Sequence, residues 1–276
     1  MRVLGLHGAG TSAYIFKSQT VAFRSKLPPS WSFDFIDAPF PAASAPGVNV
    51  LFDSAHYSWF ARPTVNAIRG AHQHLLDYLS ENGPYDLVIC FSQGCALIAS
   101  FLLYHAREAP DEPLPFKAAV FICGGLPLPV LDDLGVDVSA RAREINEQTV
   151  TLLKSRAGAL TELAQNPDRI EKGVGLWDNT DGLVHDPDTL PDPRTEDVFG
   201  LDYTRMPGDL RIKIPTVHIY GAKDPRWPAS IQLAYFCEET RRKMYDHQGG
   251  HDIPRSTGVS LKIAGLMEEL GRMITS

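Results

Sequence analysis

Short apolar runs alternate with helix-like stretches along most of this chain, and that alternation restricts its fold more than any other feature. Residues 2–6 (RVLGL), 87–91 (LVICF), 118–122 (AAVFI) and 216–220 (TVHIY) are apolar at nearly every position rather than every second one. That is the pattern of strands buried on both faces of a parallel sheet. Residues 32–36 (SFDFI) and 243–245 (KMY) read as two further strands. Helices are expected between them over 12–27, 63–80, 93–107, 228–241 and 256–274. In the second, Val65, Ile68, His72, Leu75, Leu76 and Leu79 recur at helical spacing, with Pro63 in the first turn and Gly83-Pro84 at the end. Strands alternating with helices give an α/β fold, a mostly parallel sheet with helices on both faces. Ligands in such sheets bind beyond the carboxyl ends of the strands.

The 276 residues suit a single domain spanning 1–276. Residues 126–206 break the rhythm. They hold a long polar helix candidate over 139–165, then a loop rich in Asp, Pro and Gly. Loops of this length in compact domains are usually functional, so the segment is expected to be a cap over the strand ends.

A net charge of −7 gives no general attraction to nucleic acid or to an anionic membrane. No apolar run reaches the roughly 18–20 residues of a membrane span, and the first residues do not read as a secretory leader. The four cysteines, Cys90, Cys95, Cys123 and Cys237, form no C-x-x-C pair and sit in apolar or helical surroundings. Buried thiols in a reducing, cytoplasmic setting are expected. The chain has no H-E-x-x-H, no Cys/His cluster at ligand spacing and no G-x-G-x-x-G or G-K-[ST] phosphate loop. No metal and no cofactor is therefore expected.

The strand ends carry the chemistry. "VICFSQG" (88–94) puts Ser92 between a buried strand and a helix, the context of a nucleophile elbow, although Cys90 stands where that motif has its first glycine. Such a turn exposes the serine oxygen and aims the Gln93 N–H at the point where an oxyanion would form. A serine hydroxyl needs a base. Of nine histidines, His251 in "HQGGHDIP" follows the last strand on a glycine-rich loop; His247 is the nearest competitor, expected in a loop or at the surface, and His218 is expected in the core. Asp224, in "YGAKDP" past the end of the penultimate strand, is the candidate orienting carboxylate, ahead of Asp246 and Asp252. The order Ser92, Asp224, His251 is that of α/β-hydrolases. "LHGAG" after the first strand offers the Ala9 N–H as a second oxyanion donor. Phe40, Tyr57 and Trp59, with Phe52 and Phe60, are expected to line an apolar substrate pocket. Cys90 is expected to be buried and inert.

The pieces "LHGAGTSAYIFKSQ", "DAPFP", "CFSQG", "GAKDP" and "GGHDIP", in this order, resemble the fungal FSH1-type serine hydrolases, α/β-hydrolases that include thioesterases and esterases of polyketide gene clusters. The resemblance spans almost the whole chain outside residues 126–206. It implies an α/β-hydrolase fold, triad roles for Ser92, Asp224 and His251, and oxyanion roles for Ala9 and Gln93. It also implies cofactor-free hydrolysis of a carboxylic ester or thioester, with an acyl chain on a polyketide synthase carrier protein as a candidate substrate. A small-molecule carboxylesterase and a catalytically silent ligand-binding module stand as the alternatives.

Overall fold

The computed structural model describes residues 1–166, 175, 177–189 and 197–275. Its strands are β1 (Arg2–Leu6), β2 (Ser32–Ile36), β3 (Phe40–Pro41), β4 (Tyr57–Ser58), β5 (Leu87–Phe91), β6 (Ala118–Ile122), β7 (Asp197–Val198), β8 (Leu201–Asp202), β9 (Thr216–Tyr220) and β10 (Arg242–Asp246). Its helices are α1 (Ala13–Gln19), α2 (Val21–Arg24), α3 (Val48–Leu51), α4 (Val65–Asn82), α5 (Gln93–Glu108), α6 (Leu128–Asp133), α7 (Ala140–Gln165), α8 (Trp227–Tyr235) and α9 (Thr257–Thr275).

Six strands form one sheet in the order β10-β9-β6-β5-β1-β2, every pairing parallel. The reason lies in the side-chain alternation. Val88 and Cys90 of β5 join Leu4, Leu6, Leu75, Leu97 and Phe121 on one face. Leu87, Ile89 and Phe91 join Val3, Phe16, Val217 and Met267 on the other. A strand with a core on both sides must be apolar throughout, and β5, β6 and β9 are buried along their whole length. The outer strands β2 and β10 are only partly covered.

Two expectations shift. The helix expected over 12–27 breaks into α1 and α2 at Thr20, whose hydroxyl donates to the Phe16 carbonyl at 2.8 Å while accepting from Arg24 Nε at 2.9 Å. Hydroxyls that bond back to the preceding turn bend or break helices. The helix expected over 228–241 stops at Tyr235, because the next residues exchange backbone bonds with another segment: Ile212 N–H to Phe236 O, and Glu238 N–H to Ile212 O, both 2.9 Å. The short hairpins β3–β4 and β7–β8 and the helix α6 carry too few residues for a readable period.

Two buried histidines make stability sensitive to acid. His218 stacks on Phe121 and meets Thr216 Oγ1 at 3.0 Å, and burial, aided by Arg242, pushes its pKa down to about 3. His72 meets the Leu97 carbonyl at 3.1 Å, and burial pulls its pKa down to about 4. Both stay neutral in the fold while an unfolded chain would protonate them below about pH 6.5. Unfolded protein therefore binds more protons in this window, and stability falls as pH falls from about 6.5 towards 4, by up to about 3 kcal/mol per unit when both titrate. Urea midpoints measured from pH 7 to pH 4.5 should show this decline; a flat profile would contradict it.

Candidate active site

The chain runs from β1 outward to β2, then returns to place β5 on the other side of β1. The sheet order thus reverses between β1 and β5, the switch point where open α/β sheets bind ligands. Leu6 pairs with Cys90, so the two strands end level. The loop after β1 and the turn after β5 consequently emerge side by side. Gly94 allows this: a Cβ there would lie 2.6 Å from the Leu6 carbonyl oxygen. Ser92 sits at φ 51, ψ −111, a conformation that L-residues rarely adopt. Its N–H is anchored on Ile122 O at 3.0 Å, and its own carbonyl accepts from Cys95 N–H at 3.0 Å to start α5.

His251 Nε2 lies 2.9 Å from Ser92 Oγ, and His251 Nδ1 lies 2.8 Å from Asp224 Oδ2. A carboxylate only accepts, so Nδ1 carries the proton and Nε2 is left to accept from the serine. Asp224 is fully buried, and its Oδ1 accepts the Arg226 backbone N–H at 2.7 Å. The loops that carry the acid and the histidine are clipped together. Lys223 N–H donates to Gly249 O at 2.9 Å, while Asp246 Oδ1 accepts from Ala222 N–H at 3.0 Å and from Gln248 N–H at 2.6 Å. Asp246 is thereby occupied as a loop brace rather than a partner of His251. A side chain at Gly221 would collide with the Gly249 carbonyl, so that position requires glycine.

His247, expected in a loop or at the surface, is buried instead. Its Nδ1 accepts from Gly249 N–H at 3.2 Å, and its Nε2 is 4.0 Å from Cys123 Sγ. Burial lowers its pKa. Cys123, Asp224 and His251 form a compact donor cluster, but His251 Nδ1 and Asp224 Oδ2 are bonded to each other, and burial pushes the Cys123 thiol well up.

Ala9 lies exposed on the loop after β1, and its N–H has no partner among the described residues. The preceding carbonyl explains its direction. Gly8 O accepts from Thr11 Oγ1 at 2.8 Å and faces His7 Nδ1 at 2.7 Å. A trans peptide points its N–H opposite to its C=O, so the Ala9 N–H is turned away from His7. His7 Nε2 accepts from Ala38 N–H at 3.0 Å, which leaves the proton on Nδ1. Burial lowers the pKa of His7 and keeps the ring neutral. Gln93 opens α5, so its N–H is one of the helix's unpaired donors. Its side chain has a second role: Oε1 accepts from Trp59 N–H at 2.9 Å, and Nε2 donates to Phe60 O at 2.8 Å. The Trp59 indole in turn donates to His7 O at 2.8 Å. Sequence reasoning missed this bracing by His7 and the Gln93 side chain; a polar residue at each end of the two motifs was the available signal.

Two cavities meet at Ser92 and His251. The larger, about 870 Å³, runs past Gly8–Thr11, Ala43–Val48, Leu153, Trp177 and Ile253 to Lys154 and Arg255. The smaller, about 360 Å³, is walled by Phe60, Leu126, Leu128, Val150 and Arg226. Ala9 and Leu153 border both. Of the expected pocket aromatics, Phe40, Tyr57 and Trp59 line neither. Trp59 is fully buried, with its indole N–H committed to His7. Tyr57 serves through its backbone, accepting from Gly10 N–H at 2.9 Å, and Phe40 is exposed. Phe60 does line the smaller cavity. Cys90 is buried under α5 with its thiol 3.4 Å from Val120 O, and burial pushes its pKa well up.

A parallel α/β sheet with this serine, histidine and aspartate beyond its strand ends defines a serine hydrolase of the α/β-hydrolase fold. The chain belongs to the serine hydrolase (FSH1) family, whose model matches residues 1–263. It is 30% identical over 279 residues to "Hydrolase FUB4" of Fusarium oxysporum f. sp. lycopersici, covering 98% of each chain. It is 29% identical over 258 residues to "Esterase FPY3" of Fusarium mangiferae, covering 92% of this chain and 89% of that one. Among solved structures it is similar in fold to a carboxylesterase from Mesorhizobium loti, with a TM-score of 0.50, 14% identity, and coverage of 97% of this chain and 88% of that one. No helix among the described residues is long and apolar enough to cross a membrane.

Proposed function

We propose that Ser92, His251 and Asp224 hydrolyse a thioester or ester through an acyl-enzyme, and that the substrate is an acyl chain of polyketide type carried on an acyl carrier protein. One observation carries the reading: His251 stands within hydrogen-bond distance of both Ser92 Oγ and buried Asp224. Ser92 Oγ attacks the acyl carbon as its proton passes to His251 Nε2. Ala9 and Gln93 N–H groups receive the oxyanion. His251 then gives that proton to the departing thiol or alcohol. Water, deprotonated by the same nitrogen, attacks the acyl-enzyme; the acid leaves and Ser92 regains its proton.

The carrier-bound version rests on the larger cavity. At about 870 Å³ and with a mostly apolar wall, it has room for an acyl chain. Lys154 and Arg255 on its wall are exposed and make no ion pair among the described residues, with only Asp252 opposing them on the same wall. Unpaired cations there suit the phosphate of a carrier arm. Within residues 126–206, α7 acts as the cap, supplying Leu153, Lys154 and Ala157 to this cavity, while 167–174, 176 and 190–196 lie outside the described residues.

A fluorophosphonate should label the protein, and Ser92→Ala should abolish labelling. Labelling that survives would move the nucleophile elsewhere. Lys154→Glu with Arg255→Glu should then slow release from a carrier-bound acyl thioester at least tenfold more than hydrolysis of the matching uncharged thioester. Equal losses on both would favour the small-molecule carboxylesterase reading, which the relative named an esterase supports.

A further inference from the structure

Arg226 lies in the wall of the smaller cavity, beside Ser92, Gln93 and His251, without a carboxylate partner. Its Nη1 donates to Thr149 Oγ1 at 2.7 Å and to Asn146 O at 3.1 Å, both neutral groups of α7. Asp224 is close, but it accepts the Arg226 backbone N–H rather than the guanidinium. The Nε and Nη2 groups have no partner among the described residues. The cavity wall includes no aspartate or glutamate; besides Ser92 and His251 its polar side chains are the neutral amides of Asn146 and of Gln93, the latter committed to Trp59 and Phe60.

A guanidinium keeps its charge in such a place, even though burial disfavours it. A cation facing an apolar cavity with spare donors is matched by an anionic oxygen, which can accept two N–H bonds from the planar fork. We infer that Arg226 is a specificity residue for an anionic oxygen, a carboxylate or an acidic enol, on the arm of the substrate that occupies the smaller cavity. This rests on Ser92 and His251 being the acyl-transfer centre, which fixes where the ester group lies. Along the chain, Arg226 is two residues from Asp224, so the element that orients the histidine also reads the substrate. The bond to Thr149 is then the hold that keeps the fork pointed into the cavity.

Binding to the Ser92→Ala protein separates this idea from the catalytic one, since no turnover is needed. Calorimetry would compare monomethyl glutarate with methyl pentanoate, esters of similar length in which a carboxylate replaces a terminal methyl. The anionic ester should bind at least tenfold more tightly. Adding Arg226→Gln, which drops the charge, should erase the difference; adding Thr149→Val, which keeps the charge, should preserve a preference. Equal binding of the two esters to Ser92→Ala would overturn the inference before any arginine variant is made, as would a preference that survives Arg226→Gln in a protein shown by thermal melting to be folded. An ester bearing a cyclic 1,3-dione, whose enol is ionised at neutral pH, as a third ligand tells the acidic-enol class from the carboxylate class. Failure of fluorophosphonate labelling would count against the catalytic reading alone and leave the binding comparison standing.

Discussion

Replacing Ser92 by glycine should destroy turnover while leaving a protein more stable than the Ser92→Ala variant. Both substitutions remove the nucleophilic hydroxyl, and kcat should fall by about 10⁶ in each. They differ in the backbone. At φ 51, ψ −111 an alanine keeps the Cβ that makes this conformation costly, and glycine does not. Relief of that strain is worth roughly 1–3 kcal/mol, against about 0.5–1 kcal/mol for the extra freedom glycine brings to the unfolded chain. The net expectation is about 1 kcal/mol in favour of glycine, read from urea midpoints of the two inactive variants. An alanine variant as stable as the glycine variant would mean that the turn is not strained. Substantial activity in either would remove Ser92 from the chemistry.

Asp224→Asn should lower kcat by about 10⁴ with the fold intact. The amide is nearly the same size, and its oxygen can still accept the Arg226 N–H now held by Oδ1. What changes is the atom facing His251 Nδ1. An amide NH₂ there donates where Asp224 Oδ2 accepts, so the ring is driven to carry its proton on Nε2. In that tautomer the nitrogen beside Ser92 Oγ cannot take the serine proton. Burial sharpens the effect, since no water reaches fully buried Asp224 to substitute for the lost acceptor. A loss of less than tenfold, with circular dichroism unchanged, would argue that another group orients His251.

The sheet was legible because its inner strands are apolar at consecutive positions, a direct image of burial on two faces. The candidate site was legible because its residues follow strands: Ser92, Asp224 and His251 each lie within the first few positions after one ends. What could not be read depends on contacts between segments distant along the chain. Trp59 looks like any aromatic near a pocket until the His7 carbonyl claims its indole. His247 looks like a loop residue until the next glycine folds back on its ring. The end of α8 is decided by Ile212, more than twenty residues upstream, whose backbone bonds replace helical ones. Arg226 gives no signal in the sequence, because its meaning lies in the carboxylate it lacks.

The clip between the acid and histidine loops has a consequence for how such an enzyme can change. Lys223 to Gly249 and Ala222 to Asp246 join two chain segments that extend the same pair of adjacent strands, and neither bond uses a residue of α7. Leu153, Lys154 and Val150, by contrast, belong to α7 and form cavity wall. Part of the cavity wall, that supplied by α7, is therefore inherited on a separate piece of chain from the proposed reacting groups, although Arg226 and Arg255 tie the rest of the wall to their loops. Mutations can rewrite the appetite of the enzyme through one helix while the chemistry stays in register, which lets a lineage explore new substrates without first becoming inactive.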